Sequence, residues 1–297
     1  WGNFVKGYLL KLKEVGHNIQ TGFELVIEGT IPNGSGLSSS ASLELLVGTV
    51  VNDLYHLELD KLTLVQLGQK VENEFIGVNS GIMDQFAIGF GEIGKAILLD
   101  TNTLKYELVP AEFGDYKIVI MNTNKHRELA DSKYNERRAE CEEALKRLQT
   151  KLEVTALCQL TPTVFEENRT LIGDAMLEKR AKHAIYENER TTLAKTCLEA
   201  GELQAFGQLL NASHESLKND YEVTGIELDT LAETAQKLPG VLGARMTGAG
   251  FGGCGIALVA TSEIASFITK ISAVYLEKIG YDASFYVATI ADGAQKL

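Results

Sequence analysis

The spacing of apolar and polar positions differs between segments of this chain, and it is typical of helices in some segments and of strands in others. In the first fifteen residues Phe4, Tyr8 and Leu12 recur at helical spacing, which predicts a helix. Residues 23–32 then alternate apolar and polar side chains, with β-branched residues among them, and this pattern predicts a strand. The chain therefore opens with a helix followed by a strand.

Three helices and a hairpin are predicted between residues 40 and 110. A helix with a broad apolar face is predicted over 40–59, and a second helix over 63–77, with Asp60 or Thr63 as its N-cap. A short helix between glycines is predicted at 81–87. Two β-rich runs, 95–100 and 104–110, are joined by the sequence TNT and predict a hairpin.

The remainder of the chain changes character near Pro110 and Gly114, where a new strand is predicted at 116–121. The next hundred residues are mostly helical, with a break at Gly201. A glycine-rich loop leading into a strand, a helix and a closing strand complete the pattern. This order predicts an α/β or α+β protein of two domains, 1–115 and 116–297, the second an antiparallel sheet with helices on it. We expect the last few residues to return to the first domain.

Composition limits the classes of partner. The chain has 297 residues, 45% of them hydrophobic, and a net charge of -12. Such an acidic surface repels nucleic acid and anionic lipid, so neither is predicted as a partner. No uncharged apolar run reaches the length of about 18 residues that a membrane span needs. The four cysteines lack C-x-x-C spacing, which favours reduced thiols in a cytoplasmic protein, and we expect a monomer.

The first candidate for chemistry is the stretch PNGSGLSSSAS, residues 32–42, between the predicted strand and the predicted helix. Glycine permits close approach of the backbone, and the first N–H groups of a helix have no internal partner. Together with the helix dipole they form an anion site, and serine hydroxyls add donors. The stretch thus predicts a phosphate-binding loop, with a multiply capped helix start as the alternative. It matches neither a Walker A loop nor a G-x-G-x-x-G motif.

Two further features invite a functional interpretation. The sequence MTGAGFGGCG, residues 246–255, concentrates five glycines before a strand, which predicts either a loop that closes over a ligand or a tight turn. Asp84 stands between Met83 and Phe86, and burying a carboxylate among apolar neighbours is costly. It is a candidate base near a reacting hydroxyl, or else a helix cap or ion-pair partner. Glu72 is a second acid nearby, on a predicted helix.

These motifs occur in the order found in the GHMP kinases, which the chain resembles. PNGSGLSSSAS is similar to the second, phosphate-binding motif of that superfamily, and MTGAGFGGC to its third. Within the superfamily the chain resembles the galactokinase family along almost its whole length. The segments that carry this closer resemblance are GVNSGIMDQFA, SKYNERRAECEEA, KRAKHAIYENERT and ASHESLKNDYEVTGIELDTL.

The resemblance implies a two-domain GHMP-kinase-like fold with the active site in the inter-domain cleft. It also implies transfer of the γ-phosphoryl group of ATP to the C1 hydroxyl of α-D-galactose, with Mg²⁺. Asp84 matches the catalytic aspartate, as a base or an orienting group, Gly81 and Tyr134 match sugar-contacting positions, and Ser40 and Glu72 match Mg²⁺ ligands. Trp1 matches an aromatic wall of the adenine pocket, and Thr247 and Gly248 lie near the mouth of the site. The ATP phosphates are implied to contact Gly34, Ser35, Gly36, Leu37, Ser38, Ser39 and Ser40.

One departure from the family pattern affects the prediction of activity. The first motif of the family, which carries most of the hydrogen bonds to the sugar, is absent from residues 1–297. We therefore expect Trp1 to be an internal position of a longer protein, or the 297-residue chain alone to be inactive. Sugar selectivity stays open, so a kinase for N-acetylgalactosamine remains an alternative. So do a non-catalytic galactose and ATP sensor and an inactive fragment, although the complete GLSSSAS sequence and Asp84 favour the enzyme.

Overall fold

The structure is a computed structural model that describes residues 1–31, 36–125 and 130–296. Helices and strands are interleaved throughout. In chain order they are α1 Gly2–Glu14, α2 Ser39–Leu54, α3 Lys61–Lys70, α4 Met83–Phe90, β1 Lys95–Leu99, β2 Tyr106–Pro110, β3 Tyr116–Asn122, α5 Ala130–Leu148, α6 Pro162–Asn168, α7 Ala175–Ala200, α8 Leu203–Ser216, α9 Gly225–Ala235, β4 Val241–Met246, β5 Cys254–Ala260, α10 Ile264–Ile279 and β6 Ser284–Ala288.

The chain divides into two compact units. The first unit comprises Trp1–Asn33, Leu37–Ala111 and Ile290–Leu297, and the second comprises Gly34–Gly36 and Glu112–Thr289. The last residues thus belong to the first unit, where the backbone N–H of Ala294 donates to the carbonyl of Ile88. None of the helices in the described ranges is both long enough and apolar enough to cross a membrane.

The first unit is built on α1 to α4 and the hairpin β1–β2. One buried cluster joins α1, α2 and α3 through Tyr8, Val47 and Leu67, and a second joins α2, α3 and α4 through Leu45 and Phe86. Helix α2 contributes to both clusters, which explains its broad apolar face. The second cluster therefore packs α2 against α4.

The structure shows which of the two candidate residues, Asp60 or Thr63, is the N-cap of α3. The Asp60 carboxylate accepts a hydrogen bond from the backbone N–H of Thr63 at 2.7 Å, so Asp60 is the cap. The predicted hairpin is also confirmed, with β1 and β2 antiparallel and Leu99 opposite Tyr106.

The strand predicted at 23–32 is wrong for the part that the structure describes, 23–31. The segment alternates as predicted, with Phe23 and Leu25 half-buried and Val26 98% exposed, yet no described strand pairs with it. Alternation reports which face of an extended chain is covered, whereas a strand also requires a hydrogen-bonded neighbour. The sequence pattern indicates that one face is covered, but it does not indicate a hydrogen-bonded neighbouring strand.

The second unit contains a four-stranded antiparallel sheet with strand order β4-β5-β3-β6. The central pair β3 and β5 runs from Tyr116 opposite Ala260 to Asn122 opposite Cys254. Helices α9 and α10 cover the sheet, with Leu231 and Ile271 packed against Val119 in the core. A separate core forms between α5, α6 and α7. The prediction of an antiparallel sheet with helices on it is confirmed.

Strand β4, Val241–Met246, falls within a stretch whose composition predicts a glycine-rich loop. Its Gly243 lies against Gly207 of α8, where a Cβ atom on Gly243 would stand 2.1 Å from the Gly207 carbonyl oxygen. The glycines at these two positions therefore allow a helix and a strand to touch by their backbones. Composition alone resembles a loop, so this strand was missed.

Candidate active site

The backbone N–H groups in the first turn of α2, in the first unit, have no partner within the helix. Gly36 and Ser38 both have left-handed backbone angles, with φ of 76° and 56°, and they turn the chain into the helix at Ser39. Among the residues that the structure describes, the Ser38 side chain does not cap the helix. The N–H groups of the first turn, with the helix dipole, are thus available to an anion. Gly34 and Ser35 of the predicted loop lie outside the described residues.

The hydroxyl groups of this helix start reach two carboxylates instead. Ser38 donates a hydrogen bond to Asp84, which lies in the first turn of α4. Ser40 Oγ donates to Glu72 Oε1 at 2.6 Å, and Ser80 Oγ donates to Glu72 Oε2 at 2.7 Å. Three segments that are distant in sequence are therefore joined at one point by serine–carboxylate hydrogen bonds.

Glu72 owes its position to an irregular end of α3. The predicted helix over 63–77 continues past Lys70 as a wider π turn, Val71–Ile76. The backbone N–H groups of Gly77 and Val78 both donate to the Glu72 carbonyl, and Gly77 ends the turn with a φ of 91°. Insertions of this kind often mark functional positions in helices.

The surroundings of Asp84 raise the pKa of its carboxyl group. Burial raises the pKa of Asp84, its hydrogen bond from Ser38 opposes this shift, and the nearby Glu72 carboxylate adds to it. A third acid near this cluster, Glu44, is not predicted by the sequence motifs. It lies one turn after Ser40 on α2, it is completely buried, and burial raises its pKa to about 8.

Neighbouring carboxylates add to the negative charge at Glu44 and Asp84. The groups whose charges act on the pKa values of Glu44 and Asp84 are carboxylates alone. A bound cation would lower the repulsion between these acids, because opposite charge favours the ionised form.

The Ser40 hydroxyl and the Glu72 carboxylate fit a magnesium ion by their chemistry. Mg²⁺ prefers oxygen ligands, and in phosphate-transferring sites it is held by one or two protein groups, with water and phosphate oxygens completing the shell. The described ranges contain no group of three or more His, Cys, Asp or Glu residues suited to a metal. A site built from Ser40 and Glu72 thus needs the phosphates of a ligand as further donors.

An apolar cavity opens beside the start of α2. It has a volume of about 630 Å³ and lies within the first unit. Ile31, Leu43 and Leu46 give it apolar walls, Trp1 stands at one side, and Ser39 lies at the helix start. An apolar pocket next to an anion-binding helix N-terminus has the two parts that a nucleotide requires, one for its base and one for its phosphates.

The predicted sugar-contacting residues lie in different units. Gly81 is exposed in the first unit and follows Ser80, so it is close in sequence to both Glu72 and Asp84. Tyr134 is half-buried on α5 in the second unit. Its contact with a sugar stays a prediction.

The loop between β4 and β5 carries the third predicted motif, in the second unit. The backbone N–H of Phe251 donates to the Val223 carbonyl at 2.7 Å, and a Cβ atom on Gly250 would stand 2.3 Å from that same oxygen. Close packing therefore accounts for Gly250 without a ligand. The proposed place of Thr247 and Gly248 at the mouth of the site stays a prediction.

Comparison with known proteins gives consistent matches. Residues 3–92 match the GHMP kinases N terminal domain, and residues 194–275 match the GHMP kinases C terminal domain. The galactokinase of Lactococcus lactis subsp. cremoris (strain MG1363) is 65% identical over all 297 residues, which cover 74% of that protein. The galactokinase of Enterococcus faecalis (strain ATCC 700802 / V583) is also 65% identical, and the chain covers 77% of it.

Solved structures agree with these matches. The crystal structure of Lactococcus lactis galactokinase complexed with galactose superposes with a TM-score of 0.98 at 64% identity, covering 100% of this chain and 76% of that one. The mevalonate kinase of Methanococcus jannaschii superposes with a TM-score of 0.62 at 21% identity, covering 97% of this chain and 75% of that one. The second likeness concerns the fold alone.

Proposed function

Because this chain belongs to the galactokinase family of the GHMP kinases, we propose that it transfers the γ-phosphoryl group of ATP to the C1 hydroxyl of α-D-galactose. The products are galactose 1-phosphate and ADP. The predicted recognition and two-domain fold are confirmed by these matches, while the inter-domain position of the site stays a prediction. The observation that carries the mechanism is the meeting of Asp84 and Glu72 with the serines that begin α2.

In this proposal ATP binds at two neighbouring features of the first unit. Its adenine ring occupies the apolar cavity beside Trp1 and Leu43, and its phosphates lie at the N–H groups of Ser39 and Ser40. Gly34 to Ser38 complete the loop around the phosphates by resemblance. An overall charge of -12 is compatible with this anionic ligand, because backbone donors hold the phosphates locally.

Ser40 and Glu72 would hold Mg²⁺, and the hydrogen bond between them places both oxygen donors side by side. When bound, this ion neutralises charge on the phosphates during transfer. Ser80 donates to the second oxygen of Glu72 and fixes the orientation of the carboxylate.

Asp84 takes the proton of the C1 hydroxyl or orients that hydroxyl for attack. Its raised pKa makes the carboxylate a stronger proton acceptor than an exposed aspartate. The Ser38 hydroxyl holds it in place. Gly81 and Tyr134 contact the sugar in this proposal, and the protein acts as a cytoplasmic monomer.

The first experiment compares sugars. The full-length protein is incubated with ATP, Mg²⁺ and a panel of hexoses that includes N-acetylgalactosamine, ADP release is followed, and phosphorus NMR locates the phosphate. Release with galactose and a phosphate at C1 is expected. Release with the N-acetylated sugar alone would contradict the proposal, and protection from heat by galactose without ADP release would favour a sensor.

The second experiment tests Asp84. The Asp84→Asn variant should lose about 10²- to 10⁴-fold in kcat, which is the usual contribution of a general base, while ATP binding is retained. The matched control is Asp115→Asn, which changes an exposed aspartate of the second unit. If the Asp84 variant kept more than roughly a tenth of the turnover, Asp84 would not act as the base.

A further inference from the structure

A fully buried polar pair lies between α2 and α4. Glu44 and Gln85 are both 0% exposed, and Gln85 Nε2 donates a hydrogen bond to Glu44 Oε2 at 3.0 Å. The other oxygen of each side chain, Glu44 Oε1 and Gln85 Oε1, has no hydrogen-bond partner among the described residues. Buried polar atoms without partners are rare in native proteins and cost free energy, so this pair requires an explanation.

Glu44 Oε1 and Gln85 Oε1 can form a hydrogen bond with each other if the Glu44 carboxyl group is protonated. A carboxylate and an amide oxygen are both acceptors, but a protonated carboxyl group has one O–H donor. A carboxylic acid and an amide form two parallel bonds, amide N–H to acid C=O and acid O–H to amide C=O. The first of these bonds is present, and the second would join the two oxygens that lack partners.

The surroundings of Glu44 favour the protonated acid. The titratable groups that face it are the carboxylates of Glu72 and Asp84 and the phenol of Tyr8, whose OH donates to the Leu64 carbonyl at 2.8 Å. Burial is the main reason that the pKa of Glu44 rises to about 8; the hydrogen bond from Gln85 opposes this rise, and the two carboxylates add to it.

Helix α3 closes the pair from a third side. A Cβ atom on Gly68 would stand 3.2 Å from Gln85 Cγ and 3.3 Å from Glu44 Oε2, so the backbone of α3 packs directly on both side chains. Close packing of this kind restricts each side chain to one orientation.

We propose that Glu44 is held as the neutral acid in a reciprocal pair with Gln85, and that this pair positions Asp84. Gln85 is the neighbour of Asp84 in the first turn of α4, and Glu44 lies one turn after Ser40 on α2. The pair thus ties the helix that starts at the phosphate site to the turn that carries the acid. This proposal rests on the proposed role of Asp84, and Glu44 acts as a positioning residue.

The test compares four variants of the full-length protein. Glu44→Gln keeps the shape of the side chain and can form the same two bonds as an amide pair, so kcat should stay close to that of the wild type. The exchanged variant E44Q/Q85E restores an acid–amide pair with the roles reversed and should also retain kcat. Glu44→Ala and Gln85→Ala remove the pair.

The alanine variants are expected to lose roughly 10- to 100-fold in kcat, because displacement of a catalytic group by about 1 Å has effects of that order. Their dissociation constants for ATP should change little, since the start of α2 remains. A loss in E44Q as large as in E44A, in protein that is still folded by circular dichroism, would overturn the proposal, because the charge of Glu44 would then be needed. Wild-type kcat in both alanine variants, or an inactive exchanged variant, would overturn it as well.

A readout independent of activity separates this proposal from the role of Asp84. Infrared spectra near neutral pH should contain a protonated carboxyl C=O band that is present in the Asp84→Asn variant and lost in Glu44→Gln. Absence of that band from the wild type would refute the neutral acid even if Asp84 proved catalytic. Conversely, the band together with a fully active Asp84→Asn variant would contradict the proposed role of Asp84 and the positioning role of the pair, and would leave Glu44 as the neutral acid.

Discussion

Replacing Glu44 by glutamine should change how the stability of the protein depends on pH. The pKa of this carboxyl group is about 8 in the folded protein, against an ordinary value of 4.5. The unfolded chain therefore loses the proton first, between these two values, and unfolding is favoured as the pH rises. Because glutamine does not titrate, the Glu44→Gln variant lacks this loss.

The magnitude follows from the gap between the two pKa values. One pH unit corresponds to about 1.4 kcal/mol for each proton that differs between the folded and unfolded states. From pH 4.5 to about 8, the free energy of unfolding of the variant should therefore rise by about 5 kcal/mol relative to the wild type. Below and above this window the difference should be constant.

Urea denaturation of both proteins at several pH values measures this difference. The other titrating groups are present in both proteins, so their contributions to the difference largely cancel. The matched control is Glu92→Gln, which removes an exposed glutamate of the same unit. A difference between Glu44→Gln and wild type that stays flat, or that falls with rising pH, would refute the assignment of Glu44 as a buried neutral acid.

Three further predictions concern the Mg²⁺ ligands, the adenine-binding tryptophan Trp1 and the buried histidine His183. Ser40→Ala and Glu72→Gln should each raise the Mg²⁺ concentration at half-maximal rate, measured by ADP release, and unchanged values would refute their role as ligands. Trp1→Ala should raise the dissociation constant for ATP about tenfold in calorimetry, since an aromatic stack on a base contributes roughly 1–3 kcal/mol. Burial against Tyr221 lowers the pKa of His183 to about 4 from 6.5, so stability is lost as the pH falls through this window. The difference in free energy of unfolding between His183→Asn and the wild type should therefore shift by about 3 kcal/mol in favour of the variant from pH 6.5 to pH 4, measured by denaturation curves. A difference that does not change with pH would contradict this.

Much of the fold could be predicted because the pattern and the packing agree. The helical spacing of Phe4, Tyr8 and Leu12 marks the face of α1 that packs on α2, and Asp60 is a strong N-cap that the structure uses. Strand β4 could not be predicted, because its Gly243 serves a backbone contact with α8 that depends on the folded arrangement. The unpaired segment 23–31 shows the opposite error, since its alternation is genuine but a neighbouring strand is required as well.

In the candidate site, too, some residues could be predicted from the sequence and others could not. Motif resemblance pointed to Ser40, Glu72 and Asp84, and the structure places the first two in direct hydrogen-bond contact. It gave no indication of Glu44, because most glutamates on helices are solvated. Yet a signal was present in the spacing. Ala41, Glu44 and Leu45 fall on one face of α2, and all three are buried.

An acid inside an apolar helical stripe conflicts with the pattern around it, since an uncompensated charge in a core costs several kcal/mol. Such a residue persists in a packed core when it is neutral, paired or both. Glu44 has a partner in Gln85, lies one turn from Ser40, and shares its surroundings with Asp84. A polar residue that breaks the hydrophobic pattern beside a recognised motif is therefore a better guide to supporting residues than the motif itself, because its position has no explanation in packing alone.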